Sequence, residues 1–439
     1  MKIRAQLRIL RVKHFFLLLL FTPSLVVAQN IDKSLQVSSL FESYHYDEAL
    51  VLTNQLLSQD SMNANLILLK SKILASFNKN TEAVNILQKH YKYDSTNLKV
   101  LGSLIEYSNQ GGETEKACGF ARKRLSLAPD NRYFSFQLAN LYYQLEKYRK
   151  GLDILLPLYS KDSLNISLIK QITNGLLEIN KADSAILFCK KILRILPDDP
   201  WTTNKLANIY IRINAINKGI LLTDNFIRKD SANIAILKSN AYLNYLAKDY
   251  DRAILRFKRS FTLGDTTRFS YKYTAMSYYR LELYDTAFIY MKTTYEMDTT
   301  ENEILFYFGV CAGKNYRHEE GLKLLNKVLV RQKSAEQFVS LVCIESAALY
   351  NDMMKPDTAL AFLNKAYERN PTNIDILFRL GYQYDLYMQN PKEALIYYHQ
   401  YMQLSDDERK NKVTVKKAGE VNMSLYEYAQ NRVGELEKK

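Results

Sequence analysis

Residues 234–267 read IAILKSNAYLNYLAKDYDRAILRFKRSFTLGDTT, and residues 268–301 read RFSYKYTAMSYYRLELYDTAFIYMKTTYEMDTTE. Set one beneath the other at an offset of 34, they match Ala241 with Ala275, Tyr250 with Tyr284, Asp251 with Asp285 and Ala253 with Ala287. Each block holds two apolar-periodic runs parted by a short polar turn, the pattern of two helices joined tightly. A sequence that copies itself at an interval of this size specifies a stack of helix pairs, each leaning on its neighbours.

The interval extends in both directions. Ala49, Ala83, Ala117, Gly151, Ala185, Gly219, Ala253, Ala287 and Gly321 stand at unbroken spacings of 34, and Ala359 and Ala394 follow at 38 and 35. About eleven units result, or 22 helices. The words before the anchors, such as Tyr46-Asp47-Glu48-Ala49 and Pro391-Lys392-Glu393-Ala394, read as turns feeding a helix. Twelve residues after an anchor come Pro129, Pro197 or Pro371, or else Ser163, Ser231, Asp265 or Thr299, which stop one helix or cap the next. The spacing of 38 is most simply an extra helical turn at Glu336 to Val339.

Twelve residues before the anchor lies a second small position: Ala139, Thr173, Ala207, Ala241, Ala275, Gly309 and Ala347, with Gly381 displaced one step by an inserted residue. Small side chains there let two helices approach closely. Three residues on, Tyr142, Tyr210, Tyr278, Tyr350 and Tyr384 supply the large apolar partner.

The period of 34, the small residue at the eighth position, Tyr at the eleventh, Ala at the twentieth and Pro at the thirty-second resemble the tetratricopeptide repeat over residues 30–408. Trp201 is the one Trp in the chain, so the consensus Trp is nearly absent, and Val37, Ser71 and Ile105 occupy the small position in the first three units. The resemblance implies an all-α solenoid wound into a right-handed superhelix, with a concave groove lined by the first helix of each unit. Beyond a charged break at 405–410, Leu425, Tyr428, Ala429, Val433 and Leu436 fall at helical spacing and predict a capping helix within 409–439, its outer face carried by Glu435, Glu437, Lys438 and Lys439.

The N-terminus has the character of a signal peptide. Lys2, Arg4, Arg8, Arg11 and Lys13 precede an apolar run from Phe15 to Val27, and Val26-Val27-Ala28 offers a small-residue cleavage site that would leave Gln29 first. The alternative is an uncleaved anchor, although the run is broken by Pro23 and falls short of the roughly 20 residues needed to span a bilayer. Cleavage predicts an exported, most simply periplasmic, protein with no membrane span, and lowers the formal charge from +14 to +9. That excess favours acidic partners or envelope anions without demanding nucleic acid. Hydrophobic content of 47% with only 14 Gly and 8 Pro excludes a long disordered stretch. Cys118, Cys189, Cys311 and Cys343 fall inside predicted helices, where Cys acts as a small hydrophobe; Cys311 and Cys343, in neighbouring repeats, are the one pair placed for a disulfide.

Chemistry-bearing motifs are missing from the pattern. His45, His90, His318 and His399 are dispersed over unrelated repeats without a companion at metal or nucleophile–base spacing, and there is neither a phosphate-binding loop nor a nucleophile elbow. The reading is a chain with no catalytic residues, no metal and no cofactor. What the resemblance implies instead is a partner-binding groove, here Asn140, Lys170, Asn174, Trp201, Asn208, Arg212, Lys238, Tyr242, Tyr245, Lys272, Tyr279 and Arg280, with Tyr133, Phe136, Tyr143, Asn204 and Phe269 beside them. Asn140, Asn174 and Asn208 stand 34 apart and predict a ladder. Asn both donates and accepts, so it can pair with the backbone of an extended peptide; Lys and Arg attract carboxylates; Tyr and Trp add flat apolar area. The same residues also fit a long solenoid that simply needs a polar inner face. Lys170 with Asn174 resembles half of the carboxylate clamp of some tetratricopeptide co-chaperones, but Ala235 and Ser239 stand where its second half would be. The expected function is a non-enzymatic scaffold or adaptor of the cell envelope that holds a protein or peptide, an acidic one included. The alternative is a module binding a glycan or envelope polysaccharide.

Overall fold

The computed structural model describes residues 33–331, 335–371, 373–405, 413–415 and 423–438. The leader expected at 1–28, the charged break at 406–410 and Lys439 lie outside the described residues. Within them eleven helix pairs succeed one another, from 33–42 paired with Tyr46–Gln59 to Asp375–Tyr382 paired with Pro391–Leu404. The chain forms two compact units, one ending at Thr202 and one beginning at Thr203, the division falling inside the helix Pro200–Arg212 that opens the sixth pair.

In the first unit the entry to each first helix is set by an Asx cap. Asn63, Asn97, Asn131 and Asn165 accept hydrogen bonds from the backbone N–H groups of Leu66, Lys99 with Val100, Phe134 and Leu168, and Asp199 does so for Thr202. Each bond satisfies a donor that the helix start leaves orphaned, worth about 1 kcal/mol. The passage from first to second helix is equally regular. Tyr44, Asn78, Glu146 and Asn180 take the left-handed backbone conformation with φ of 56–65°. The next N–H reaches back over the helix end, as from Lys147 to the Tyr142 carbonyl at 2.8 Å. The anchor side chains Ala49, Ala83, Ala117 and Ala185 are fully buried. Tyr143, expected in the groove, is instead wedged into the packing: a Cβ on Gly151 would lie 2.3 Å from its ring and one on Gly175 2.2 Å from its hydroxyl, which donates to the Gln171 carbonyl at 3.2 Å. Two glycines clear the slot that one tyrosine fills, and burial pushes its phenol up to about 12.

The second unit uses the same devices with variations. Asn233 caps Ile234–Leu246, whereas Thr267 and Glu301 precede Arg268–Arg280 and Asn302–Lys314 without a side-chain cap. Asn214, Lys248, Glu282 and Tyr316 carry the left-handed turn. The first helix of the tenth pair, Glu336–Asp352, has 17 residues against 13 in the ninth. Cys118 and Cys189 in the first unit and Cys311 and Cys343 in the second are free and buried, so the bridge weighed for the last pair is not formed. The reason is packing: Cys311 belongs to the apolar cluster around Ile304, Leu305 and Leu325, Cys343 to another around Ala347, Ala359 and Leu380. Burial pushes the Cys311 thiol up to about 12.

The end of the array departs from the regular pattern. The residue inserted beside Gly381 is taken up as a π-helical turn, Gln383–Tyr387, continuing the first helix of the eleventh pair. It turns Asp385 inward, where Arg432 of the last helix, Leu425–Leu436, clasps it with two bonds of 2.8 and 2.7 Å and Tyr398 donates to it at 3.4 Å. That helix opens with a reciprocal cap between Ser424 and Glu427 and buries Ala429, Val433 and Leu436 against the cluster of Phe378, Tyr398 and Tyr401. The expectation of a purely helical tail needs one correction: Val413–Val415 and Met423–Ser424 pair as a short antiparallel ladder, as the β-branched run Val413-Thr414-Val415 favours. Among the described residues no helix is long and apolar enough to cross a membrane.

Candidate functional site

In the first unit, Lys99, Gly102, Glu106, Tyr133, Phe136 and Asn140 line a groove of about 570 Å³ on the first helices of the third and fourth pairs. Asn140 is exposed there and Asn174 is half-buried one repeat later. Lys170 is already engaged: its ammonium lies 2.8 Å from the Asp199 carboxylate and 5.0 Å over the ring of Trp201. Burial would push the Asp199 carboxyl up, but the hydrogen bonds from Lys170 and Thr202 outweigh it and hold it below the usual range.

In the second unit, Asn204, Asn208, Lys238, Tyr242 and Phe269 line a pocket of about 420 Å³. Asn208 and Arg212 are exposed. Lys238 donates to Thr267 at 2.7 Å and stands 3.4 Å from Asp265, which is itself held by Thr267 and Ser270. Lys272 pairs with Glu301, and with Glu303 at 2.9 Å. Burial alone would lower the Lys272 pKa, but the two carboxylates raise it on balance.

One rule covers the three lysines. Lys170, Lys238 and Lys272 share a register in the first helix, and each reaches the oxygen 29 residues on, at the residue that precedes the next first helix: Asp199, Thr267 and Glu301. Where that residue is Asn131, Asn165 or Asn233, the matching register holds Gly102, Phe136 or Asn204 and no lysine. The cations that read from sequence as bait for a partner's carboxylate therefore join one repeat to the next. The spacing of 29 was present in the sequence, but nothing in the spacing of 34 points to it.

What stays open to a partner is aromatic and amide surface. Tyr242 packs 4.5 Å from Tyr273 and 5.3 Å from Phe269, Tyr245 packs 5.0 Å from Tyr273, and Tyr279 packs 4.8 Å from Tyr307, ring centre to ring centre. Exposed Arg280 bridges the two groups by donating to the Tyr245 hydroxyl, with Tyr307 beside it. Burial raises the phenols of Tyr245, Tyr273 and Tyr279, so all three remain neutral hydrogen-bond donors at ordinary pH. Sequence reasoning found Tyr242, Tyr245 and Tyr279 and missed Tyr273 and Tyr307, which continue the aromatic run one position further round the helix. It also missed a cavity of about 820 Å³ near the last helix, walled by Phe378, Tyr382, Tyr387 and Tyr428 with Arg379 and Asp352 at its edge.

Helix pairs recurring every 34 residues, with small anchors buried at the crossing, make the chain an all-α protein of the tetratricopeptide-repeat fold. No protein-family model matches it, and no curated protein does. Solved structures similar to it include YrrB, a tetratricopeptide-repeat protein with an unusual peptide-binding site, at 18% identity and a TM-score of 0.40 over 43% of this chain and 95% of that one. The C-terminal part of a repeat-containing protein from Cytophaga hutchinsonii matches at 12% identity and a TM-score of 0.45, over 55% of this chain and 98% of that one. A tetratricopeptide-repeat protein from Parabacteroides merdae matches at 13% identity and 0.41, over 62% and 99%.

Proposed function

We propose that the chain is a non-enzymatic scaffold, exported to the cell envelope and most simply periplasmic, that holds an extended segment of a partner protein on the inner helices of its repeats. The observation that carries this reading is the run of Tyr242, Tyr245, Phe269, Tyr273, Tyr279 and Tyr307. Flat rings with neutral hydroxyls offer apolar area and donors to a peptide of almost any sequence, at small entropic cost. Because Lys170, Lys238 and Lys272 are spoken for within the array, the rings and not these lysines set the affinity. A second reading, a glycan or envelope-polymer site, draws on the same rings, since they stack on sugar faces as readily as on side chains.

The test is photo-crosslinking in living cells from a benzoyl-phenylalanine placed at position 242, with Tyr245→Ala as the partner variant. A dominant protein adduct that weakens in the Tyr245→Ala background is the expected result. Polysaccharide in the adduct instead of protein would transfer the proposal to the second reading.

A further inference from the structure

The structure assigns a carboxylate-binding subsite to Arg124 in the groove of the third and fourth repeats, an inference that rests on the peptide-holding reading above and concerns the first unit alone. Gly102 occupies the register in which Lys170, Lys238 and Lys272 stand in later repeats. Its missing side chain is replaced from behind: a Cβ on Gly102 would lie 2.9 Å from Nη2 of Arg124, which comes from the second helix of the third pair, Thr114–Leu127. The glycine is a window through which a guanidinium reaches the groove.

That guanidinium differs from the three lysines in having no counterion among the described residues. The residue 29 positions beyond Gly102 is Asn131, whose side chain is used as a neutral helix cap. Arg124 lies with Cζ 4.0 Å over the Phe134 ring and donates from Nη1 to Gln137 at 3.1 Å, while its Nε is buried with no acceptor among the described residues. Glu106 lines the same groove but is exposed, bonded to Gln110, and forms no ion pair with Arg124. A half-buried cation held by a ring and a neutral amide is an unfavourable arrangement unless something completes it, because burial penalises a charge that lacks a partner. Burial does disfavour the charged form of Arg124. Lys99 on the same wall adds a second positive charge, and Asn140 and Tyr133 supply polar groups around the opening.

A carboxylate fits this place by charge and by the planar fork of the guanidinium. It could be the C-terminus of a bound peptide or an acidic side chain within it. Three short fluorescent peptides separate these sources: alternating Tyr and Glu with an amidated end, alternating Tyr and Gln with a free end, and alternating Tyr and Gln with an amidated end. Anisotropy titrations of the full chain at fixed low salt should show tighter binding of one or both carboxylate-bearing peptides than of the neutral one. Arg124→Gln should reduce that preference about tenfold or more, and Gly102→Ala, which displaces the guanidinium without removing it, should reduce it too. Glu106→Gln should strengthen it. Lys150→Gln, which removes one positive charge from a second helix elsewhere, should leave it unchanged, and circular dichroism reports whether each variant is folded. A preference that survives Arg124→Gln in a folded protein, or falls equally with Lys150→Gln, overturns the subsite. If the wild type binds all three peptides alike, the subsite is wrong and the peptide groove stands; if it binds none, both fail.

Discussion

The fourth and eleventh repeats hold themselves together by opposite means. In the fourth, the Asn131 cap and the left-handed turn at Glu146 recur in other repeats, and Tyr143 set between Gly151 and Gly175 adds a fit of its own. In the eleventh, the decisive fastening is a single buried pair between residues 47 apart, Asp385 and Arg432. A repeat inside a linear stack is covered on both sides, so small uniform contributions suffice; the terminal repeat has a neighbour on one side only and needs a specific lock on the helix that covers the other.

The lock is the place to break that contrast. Replacing Asp385 by Ala leaves Arg432 with only the exposed Glu435 as an acid partner and removes its buried one, since Asp385 is only 3% exposed at its side chain. The expected loss is about 3 kcal/mol, seen as early release of the Leu425–Leu436 amides in hydrogen exchange while the amides of the first unit keep their protection. Uniform loss of protection along the chain would show that the end is not an independent cooperative element. A smaller effect should come from Asn131→Ala, about 1 kcal/mol, with early exchange confined to the Arg132–Gln144 helix and its neighbours; Asn131→Ser should restore it.

The smallest effect concerns the fastenings between repeats and depends on pH. The Asp199 carboxyl lies below the ordinary carboxylate range in the fold, so it binds fewer protons folded than unfolded near that range. Its contribution is complete above the unfolded value and disappears as pH falls through the lower native value. Asp199→Asn keeps an acceptor for the Thr202 N–H but removes both the charge and the titration. The variant should lose about 0.5–1 kcal/mol at pH 7, since the pair with Lys170 is partly exposed, and its stability should be flatter against acid than that of the wild type. Denaturant unfolding at pH 7 and pH 3 measures both; a parallel acid loss in the two proteins would assign the sensitivity to other carboxylates.

The helix pairs were legible because the spacing of 34 is written in residues whose size alone decides the packing, such as Ala253 and Ala287. The Asn caps were equally periodic, at 63, 97, 131 and 165, but they fall at the seam between units, away from the small anchors that organise the reading. Of the candidate groove residues, Tyr242, Tyr245 and Tyr279 were legible as aromatic surface, since their register sets them against Tyr273 and Tyr307. Which cations were free was not legible: that depends on the residue 29 positions away, and for Arg124 on a side chain delivered from the other helix through Gly102. The Asp385–Arg432 pair had no precedent in the array to predict it, and Tyr143 was misplaced because its fit depends on two glycines in different helices.

One inserted residue near Gly381 bears on where the array stops. Each residue added to a helix turns all later residues by about 100° around its axis, and here the rotation is absorbed in the Gln383–Tyr387 turn, which brings a carboxylate to the face that an ordinary repeat would offer to a twelfth copy. A buried acid on that face costs an apolar neighbour its desolvation and favours a helix bearing a matching cation. The insertion thus works as punctuation: it gives the last pair a surface that differs from the others and is matched by the one helix that carries Arg432.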